Sequence, residues 1–393
     1  MEVANYAHVQ PPEPVRHRRK PLPFSPRYTI SAEAAQNLRD ITRLDDDLNR
    51  YVLRAKDYMA LVEQAWGSNF HATTALEGNP LTLPEVTQVT AETLAGTAET
   101  PADPYKQEIV NHLFAWLAPE ALALPWTPKS VRTLHQFLLT GVDRKAKPGR
   151  FSDKQMIVAH RVTHQPLFYG APAGTIAEEL GDILAWVNGQ APALHPVVAA
   201  AIMFHEFESI HPFEDGNGRV GRVLFHGYLQ NAGLRNAHLC LIESTLLQDA
   251  DLYYRILAWT DQTGDYTELI RYFAEAVRES YLAAREELAS QDLLTKGMDE
   301  HRRRLLVEAK RHRDWFSPRE AAKWTDGIVH TTVLKHLNAL VEEDVLEAFG
   351  ATKSRTYRFK SPFHDVETFH AEKLSSMRQR FEAAKTETDE NPR

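Results

Sequence analysis

Twelve residues, His211-Pro212-Phe213-Glu214-Asp215-Gly216-Asn217-Gly218-Arg219-Val220-Gly221-Arg222, concentrate the reactive chemistry of this 393-residue chain. Val220, Val223, Leu224 and Tyr228 recur at helical spacing, so a helix is expected to start near Gly218. A glycine-rich turn running into a helix aims backbone N–H groups at one point, where the helix dipole also favours an anion. Arg219 and Arg222 fall on neighbouring positions of the first turn. Two guanidiniums and a nest of amides suit a polyphosphate. Asp215 beside them suits Mg2+, which takes carboxylate together with phosphate oxygens. His211 alone here has an ordinary pKa near neutrality, as a general base requires. Arginine at a helix N-terminus opposes the dipole by about 0.3–1 kcal/mol, and a bound anion removes that conflict. Without other context, the same residues also describe an ordinary turn.

A second stretch, Thr73-Thr74-Ala75-Leu76-Glu77-Gly78-Asn79-Pro80, ends a helix, because Gly78, Asn79 and Pro80 stop one. Glu77 is left in the last turn, at the dipole end that disfavours a carboxylate. On spacing alone it is a solvated glutamate before a helix stop.

Other elements must position these stretches. Residues 1–27 hold Pro11, Pro12, Pro14, Pro21, Pro23 and Pro26, which bar a helix and leave an extended arm. The basic cluster Arg16 to Lys20 reads as solvated, with contact to an acidic partner as the alternative. Helical spacing runs through 31–66, 105–140, 175–188, 195–210 and 236–282. The 195–210 piece is apolar enough to be a buried central helix leading straight to His211. His135, on an apolar stretch, reads as a satisfied core histidine. Met156 to Ala159 and Val162 to Tyr169 form a small hairpin joined near His160-Arg161. Tyr253 and Tyr254 are adjacent, either a core pair or a ligand border.

Composition bounds the rest. Hydrophobic content of 43% and charged content of 25% describe a globular protein with an ample core. A net charge of −8 argues against general nucleic-acid binding by the whole molecule. Cys240 is the one cysteine, so no intrachain disulfide forms. Its expected role is a small buried hydrophobe. The longest apolar run, Val197 to Phe204, is far short of a membrane span, and no signal peptide is evident, so the cytoplasm is the expected compartment.

The tail changes character. Residues 301–313 are basic, and Ser317-Pro318-Arg319-Glu320 caps a short helix that reaches about Trp324. Val333, Leu334, Leu337, Leu340 and Val341 line one face of a helix over 329–343. Val345 to Phe349 and Thr356 to Phe359 read as strands, and this order is that of a winged helix-turn-helix. Lys353, Arg355, Arg358 and Lys360 would make its wing positive. DNA or another acidic partner, or protein docking and dimerisation, both fit.

The stretch from His211 to Arg222 resembles, at every fixed position, the signature His-Pro-Phe-x-Asp/Glu-Gly-Asn-Gly-Arg-x-x-Arg of the Fic (Fic/Doc, Fido) family. Thr73-x-x-x-Glu77-Gly78 resembles that family's inhibitory motif. The resemblance implies a mainly α fold: a Fic-type helical core with a β-hairpin flap, beside the winged helix-turn-helix. The expected organisation is an arm (1–27), a helical region with the inhibitory helix (28–125), the catalytic core (126–282), a linker helix (283–299), the winged helix (300–362), and a C-terminal helix and tail (363–393). It further implies transfer of AMP from ATP to a Ser, Thr or Tyr hydroxyl of a target protein, itself included, with Mg2+ on Asp215. His211 would act as base. Gly216, Asn217 and Gly218 would cradle the phosphates, Arg219 and Arg222 would neutralise the β/γ end, and Tyr253 or Tyr254 would border the adenine. Glu77, with Thr73 and Gly78, would inhibit by holding Arg222, and the flap would align the target segment by strand addition. A homodimer is compatible and a membrane is not. Two other readings stay open: a DNA-binding regulator whose Fic core senses nucleotide, and a Fic enzyme that removes AMP or transfers another phosphate-containing group.

Overall fold

The apolar run Val197–Phe204 lies inside helix Pro196–Ile210, whose residues are buried almost throughout. In the computed structural model this helix is the axis of the main core. The structure describes residues 6–360 except 12–13, 54, 96–100, 102, 118–121, 143–146, 160–164, 292–296, 313, 326 and 352–353, together with 379, 382–383 and 386. The hairpin join at His160-Arg161, the wing residue Lys353 and nearly all of the C-terminal segment 363–393 thus lie outside the described residues.

The protein is mainly helical. In chain order the helices are α1 (Ala32–Leu48), α2 (Ala55–Leu76), α3 (Leu83–Leu94), α4 (Pro104–Leu117), α5 (Pro128–Leu139), α6 (Ile176–Gly189), α7 (Pro196–Ile210), α8 (Asn217–Asn231), α9 (Ile242–Leu246), α10 (Ala250–Thr263), α11 (Thr267–Gln291), α12 (Glu300–His312), α13 (Pro318–Ala322) and α14 (His330–Glu342). Local chemistry sets several starts. Ser31 accepts the Ala34 N–H at α1, Asp249 accepts that of Leu252 at α10, and Ser317 with Glu320 forms a capping box at α13. The stretches expected to be helical over 31–66 and 105–140 each hold two helices, α1 with the start of α2, and α4 with α5. Conversely α11 runs unbroken past residue 282 to Gln291, so no helix end marks that expected boundary.

The flap hairpin is present as β2 (Ile157–Ala159) and antiparallel β3 (Pro166–Tyr169). Its second strand starts four residues later than the expected Val162. A third strand, β1 (Val15–Arg16), pairs in parallel with the other edge of β3.

That strand adds to the reading of residues 1–27 as an extended arm: the arm is docked, while Arg16, Arg18 and Arg19 of its basic cluster stay exposed. The segment is extended, as its prolines require, but Tyr6, Val9 and Phe24 are buried in the main core and Val15 is buried as well. Arg16 stacks on Tyr169 at 4.0 Å, and His17 lies 2.7 Å from both Ser209 and Glu179. Proline removes helical periodicity without preventing burial, so spacing carried no sign of this docking.

A second cluster of buried residues gathers Leu305, Leu306, Ala309, Phe316, Val333, Leu337, Leu340, Leu346 and Tyr357 from α12 to α14 and the antiparallel pair β4 (Leu346–Phe349) and β5 (Thr356–Phe359). Val52, from the turn between α1 and α2, belongs to this cluster, and Lys310 Nζ donates to the Tyr51 carbonyl at 2.8 Å. Among the described residues no helix is long and apolar enough to cross a membrane.

Candidate active site

His211 caps α7 with φ 52°, a left-handed conformation that turns the chain sharply out of the helix. Its Nδ1–H donates to the Glu208 carbonyl at 3.2 Å, which leaves Nε2 as the lone-pair nitrogen. Burial holds the imidazole below its ordinary pKa, partly offset by that hydrogen bond and by the charges of Glu77 and Asp215. Neutral imidazole is the form a general base needs. The flap base is tied to this turn. Ala171 N–H donates to the Ile210 carbonyl at 3.0 Å, and Ser152 N–H to the Pro212 carbonyl at 2.8 Å. A Cβ on Gly170 would come within 3.0 Å of the His211 Cβ and 3.1 Å of the Ile210 carbonyl.

The loop from Pro212 to Gly216 is held from inside. Phe213 is fully buried, and its ring stacks on His135 with centroids 3.7 Å apart. His135 accepts the Gly149 N–H at Nδ1 (2.8 Å), so its Nε2–H donates to the Asp215 carbonyl (2.9 Å). Burial takes its pKa down to about 4. It is a satisfied core histidine, as expected, but one that also sets the height of the loop. Asn217 is used internally too. Its Oδ1 accepts the Phe213 N–H at 2.9 Å and its Nδ2 donates to the Phe213 carbonyl at 2.8 Å. The expected cradle therefore rests on the backbone of Gly216, Asn217 and Gly218, because the Asn217 side chain is committed. Gly216 supplies the turn with φ 80°.

Arg219 differs from expectation. It is buried, with Nη1 2.5 Å from Glu108 Oε1 and Nη2 2.6 Å from Asp215 Oδ2. Two carboxylates already occupy it, so it orders the site before any anion arrives. Glu108 was missed in the sequence. Its only signal was an acid followed by Asn111 and His112 on a helix whose second half is mostly apolar. Its Oε2 accepts from Asn79 Nδ2 at 2.6 Å. Asn79, Glu108, Arg219 and Asp215 thus form one chain of contacts joining the turn after Glu77 to the acid of the loop. Burial raises the Glu108 carboxyl, with Arg219 opposing. At Asp215 burial also acts upward, but Arg219 outweighs it and the carboxyl sits below its ordinary range.

Arg222 and Glu77 meet. Arg222 Nη2 lies 2.8 Å from Glu77 Oε1 and 3.2 Å from the Thr73 carbonyl. This is a single-point contact. Gly78, with φ 95°, turns the chain immediately after Glu77. A Cβ on Gly218 would collide with Glu77 Oε1 and come 2.8 Å from both Arg222 Nη atoms, so only glycine lets the pair sit at the mouth of α8. Burial lowers the Arg222 pKa, but the Glu77 charge prevails and raises it. The two tyrosines separate: Tyr253 is 3% exposed and shares a cavity with Arg222, Phe204 and Phe273, whereas Tyr254 is 49% exposed. Of the two, Tyr254 is the one exposed to solvent.

A helical core with a flap, a His-to-Arg loop running into a buried helix, and an acid from an earlier helix on its second arginine define a Fic-type architecture. Residues 125–229 match the family model described as the Fic/DOC family, so that part of the chain is a Fic domain. It is similar to proteins named "Protein adenylyltransferase Fic" from Drosophila grimshawi, 27% identical over 259 residues, and Drosophila melanogaster, 26% over 265. These alignments cover 64% and 66% of this chain and 49% of each relative, so the chain spans about half the length of the curated relatives it matches. A crystal structure of a Fic family protein from Desulfovibrio desulfuricans G20 superposes on 86% of this chain and 98% of its own, with a TM-score of 0.57 at 23% identity, which shows the shared fold.

Proposed function

We propose that this chain transfers AMP from ATP to a serine, threonine or tyrosine hydroxyl of a protein, itself included, and that Glu77 restrains it. The observation that carries this reading is Glu77 on Arg222 over Gly218, beside Asp215 and His211. An internal carboxylate fills an anion site at a helix N-terminus, next to a neutral imidazole. The names of the Drosophila relatives support AMP as the transferred group.

Chemically, His211 Nε2 takes the hydroxyl proton while the oxygen attacks the α-phosphorus. The new O–P bond forms as the bond to pyrophosphate breaks, and pyrophosphate carries away the electron pair. Amides at the start of α8 and the Arg222 guanidinium hold the phosphates in line; such transfers depend mainly on positioning and charge stabilisation. Among the described residues no group of three His, Cys, Asp or Glu could hold a metal by itself. Mg2+ commonly binds through one or two carboxylates plus substrate phosphates. Asp215 fits that role, since its side chain is 40% exposed and only Oδ2 is engaged by Arg219. Bound there, the ion would neutralise phosphate charge. Tyr254 would border the adenine. β1 fills one edge of β3, so a target strand would add to β2, whose Ile157 is 50% exposed.

For α12 to β5 we propose a winged helix that docks protein. In its wing Arg358 pairs with Glu347 and Lys360 with Asp344, which neutralises cations that phosphates would need. The deciding experiment incubates the protein with ATP labelled separately at the α and γ phosphorus. Protein labelled from the α position supports AMP transfer; label only from the γ position would replace it with phosphate transfer.

A further inference from the structure

Glu208 has no part in the reaction just described, yet it sits inside its machinery. It lies on the last turn of α7, and its carbonyl is the one that holds His211 Nδ1–H. Its side chain points elsewhere, toward α8. A Cβ on Gly221 would come 2.5 Å from Glu208 Oε1 and 3.1 Å from both Phe204 and Phe207, so the missing side chain of Gly221 is the space the carboxyl occupies. That Oε1 is buried and makes no hydrogen bond. On the next residue, Arg222 Nε is also buried and also makes none. Arg222 spends Nη2 on Glu77 and Thr73. Glu208 and Arg222 lie close enough to feel each other's charge, so an orphan acceptor and an orphan donor share one neighbourhood, each at a desolvation cost that is unusual unless it is used.

We propose that Glu208 is the positioning residue for Arg222: once Glu77 withdraws, Glu208 Oε1 receives the Nε–H edge and turns the Nη1/Nη2 fork toward the terminal phosphate of the bound nucleotide. A guanidinium has five donors in a planar fork, so one edge can be anchored while the other grips an anion. Burial, with the Glu77 charge adding to it against Arg222, pushes the Glu208 carboxyl up to about 8. The group is thus largely protonated while Glu77 is present, and a neutral acid still offers an acceptor oxygen. The inference rests on the nucleotide reading above and adds to it a residue that senses only the far end of the polyphosphate.

The test uses the full chain carrying Glu77→Gly, so that Arg222 is free, and measures binding of ATP and of ADP by calorimetry. Adding Glu208→Leu is expected to weaken ATP about tenfold, the scale of one charge-assisted hydrogen bond, and to leave ADP within about twofold. Glu208→Gln, which keeps the acceptor, should retain ATP binding within about threefold. Retained ADP binding reports that the variant is folded. Equal ATP affinity in parent and Glu208→Leu overturns the Glu208 role alone, as does a parallel loss of ATP and ADP. A parent that binds neither nucleotide overturns the phosphate-site reading, and this inference with it.

Discussion

Glu77 Oε1 and Arg222 Nη2 lie 2.8 Å apart although 145 residues separate them, and the contact sits on the bare α-carbon of Gly218. The acid comes from the C-terminal end of α2, where the helix dipole disfavours it, and the arginine from the second turn of α8. Each neutralises the charge of the other. In the proposed inhibition a γ-phosphate would do the same for Arg222, and the two would compete. Glu77→Gly is therefore expected to raise labelling from α-labelled ATP about a hundredfold, the scale of a small misplacement of reacting groups. The gain should vanish in Glu77→Gly/Arg222→Ala. Equal labelling by wild type and Glu77→Gly would sink the inhibitory reading, and a fall would make Glu77 a participant in the chemistry.

His211→Ala should abolish transfer while leaving ATP binding near the parent value in the Glu77→Gly background. The imidazole acts on the hydroxyl, and loss of a general base costs about 10²–10⁴-fold. Because burial holds His211 below its ordinary pKa, activity limited by this base should stay flat above neutrality and decline only on acidification. Wild-type labelling by the variant would remove His211 from the role of base.

The site was legible where its parts are local. His211, Asp215, Gly216, Gly218 and the arginines fall within one loop and the start of α8, so spacing alone brought them together, while only the family resemblance told them from an ordinary turn. Glu77 gave no such signal: its partner lies on another helix, and only resemblance joined them. Glu108 was invisible for a related reason. An acid on an apolar helix reads as solvated unless its counterion, Arg219, is already placed. The side choice between Tyr253 and Tyr254 depended on how α10 sits against α7 and α8, which periodicity does not state. The docking of the extended arm went unread because proline erases the pattern by which burial is normally recognised.

His112 offers a test of burial at the back of the site. Its Nδ1 meets the Glu108 carbonyl at 2.9 Å, its Nε2 has no hydrogen bond, and Phe70 packs beside it. Burial depresses its pKa from 6.5 to about 3. A depressed histidine contributes stability that is complete above its unfolded pKa and is lost as pH falls from about 6.5 toward 3. One proton corresponds to about 1.4 kcal/mol per pH unit in that window. His112→Phe should flatten the fall in urea stability between pH 6.5 and 4.5, so that over this window the wild type loses about 2–3 kcal/mol more than the variant. Parallel stability curves would show that His112 is not buried neutral.

The unit from α12 to β5 is expected to be separable at a small, located cost. Its contacts with the rest of the chain include Val52, which is fully buried in its core, and the Lys310 hydrogen bond to the Tyr51 carbonyl. Ending the chain at Ala289 keeps α11 through Leu288, which is 3% exposed and closes the main core. The truncated protein should fold and, with Glu77→Gly, label itself within about threefold of the full chain, since no residue of the loop or of α8 has a hydrogen-bonding partner beyond that point among the described residues. Exposing Val52 should cost about 1.5–3 kcal/mol, the transfer energy of one such side chain. Much of that loss should disappear when Val52→Thr is compared in the long and short chains, because the hydroxyl is unwelcome only where Val52 is covered. An insoluble short chain, or one that folds but no longer labels, would show that this unit completes the catalytic fold.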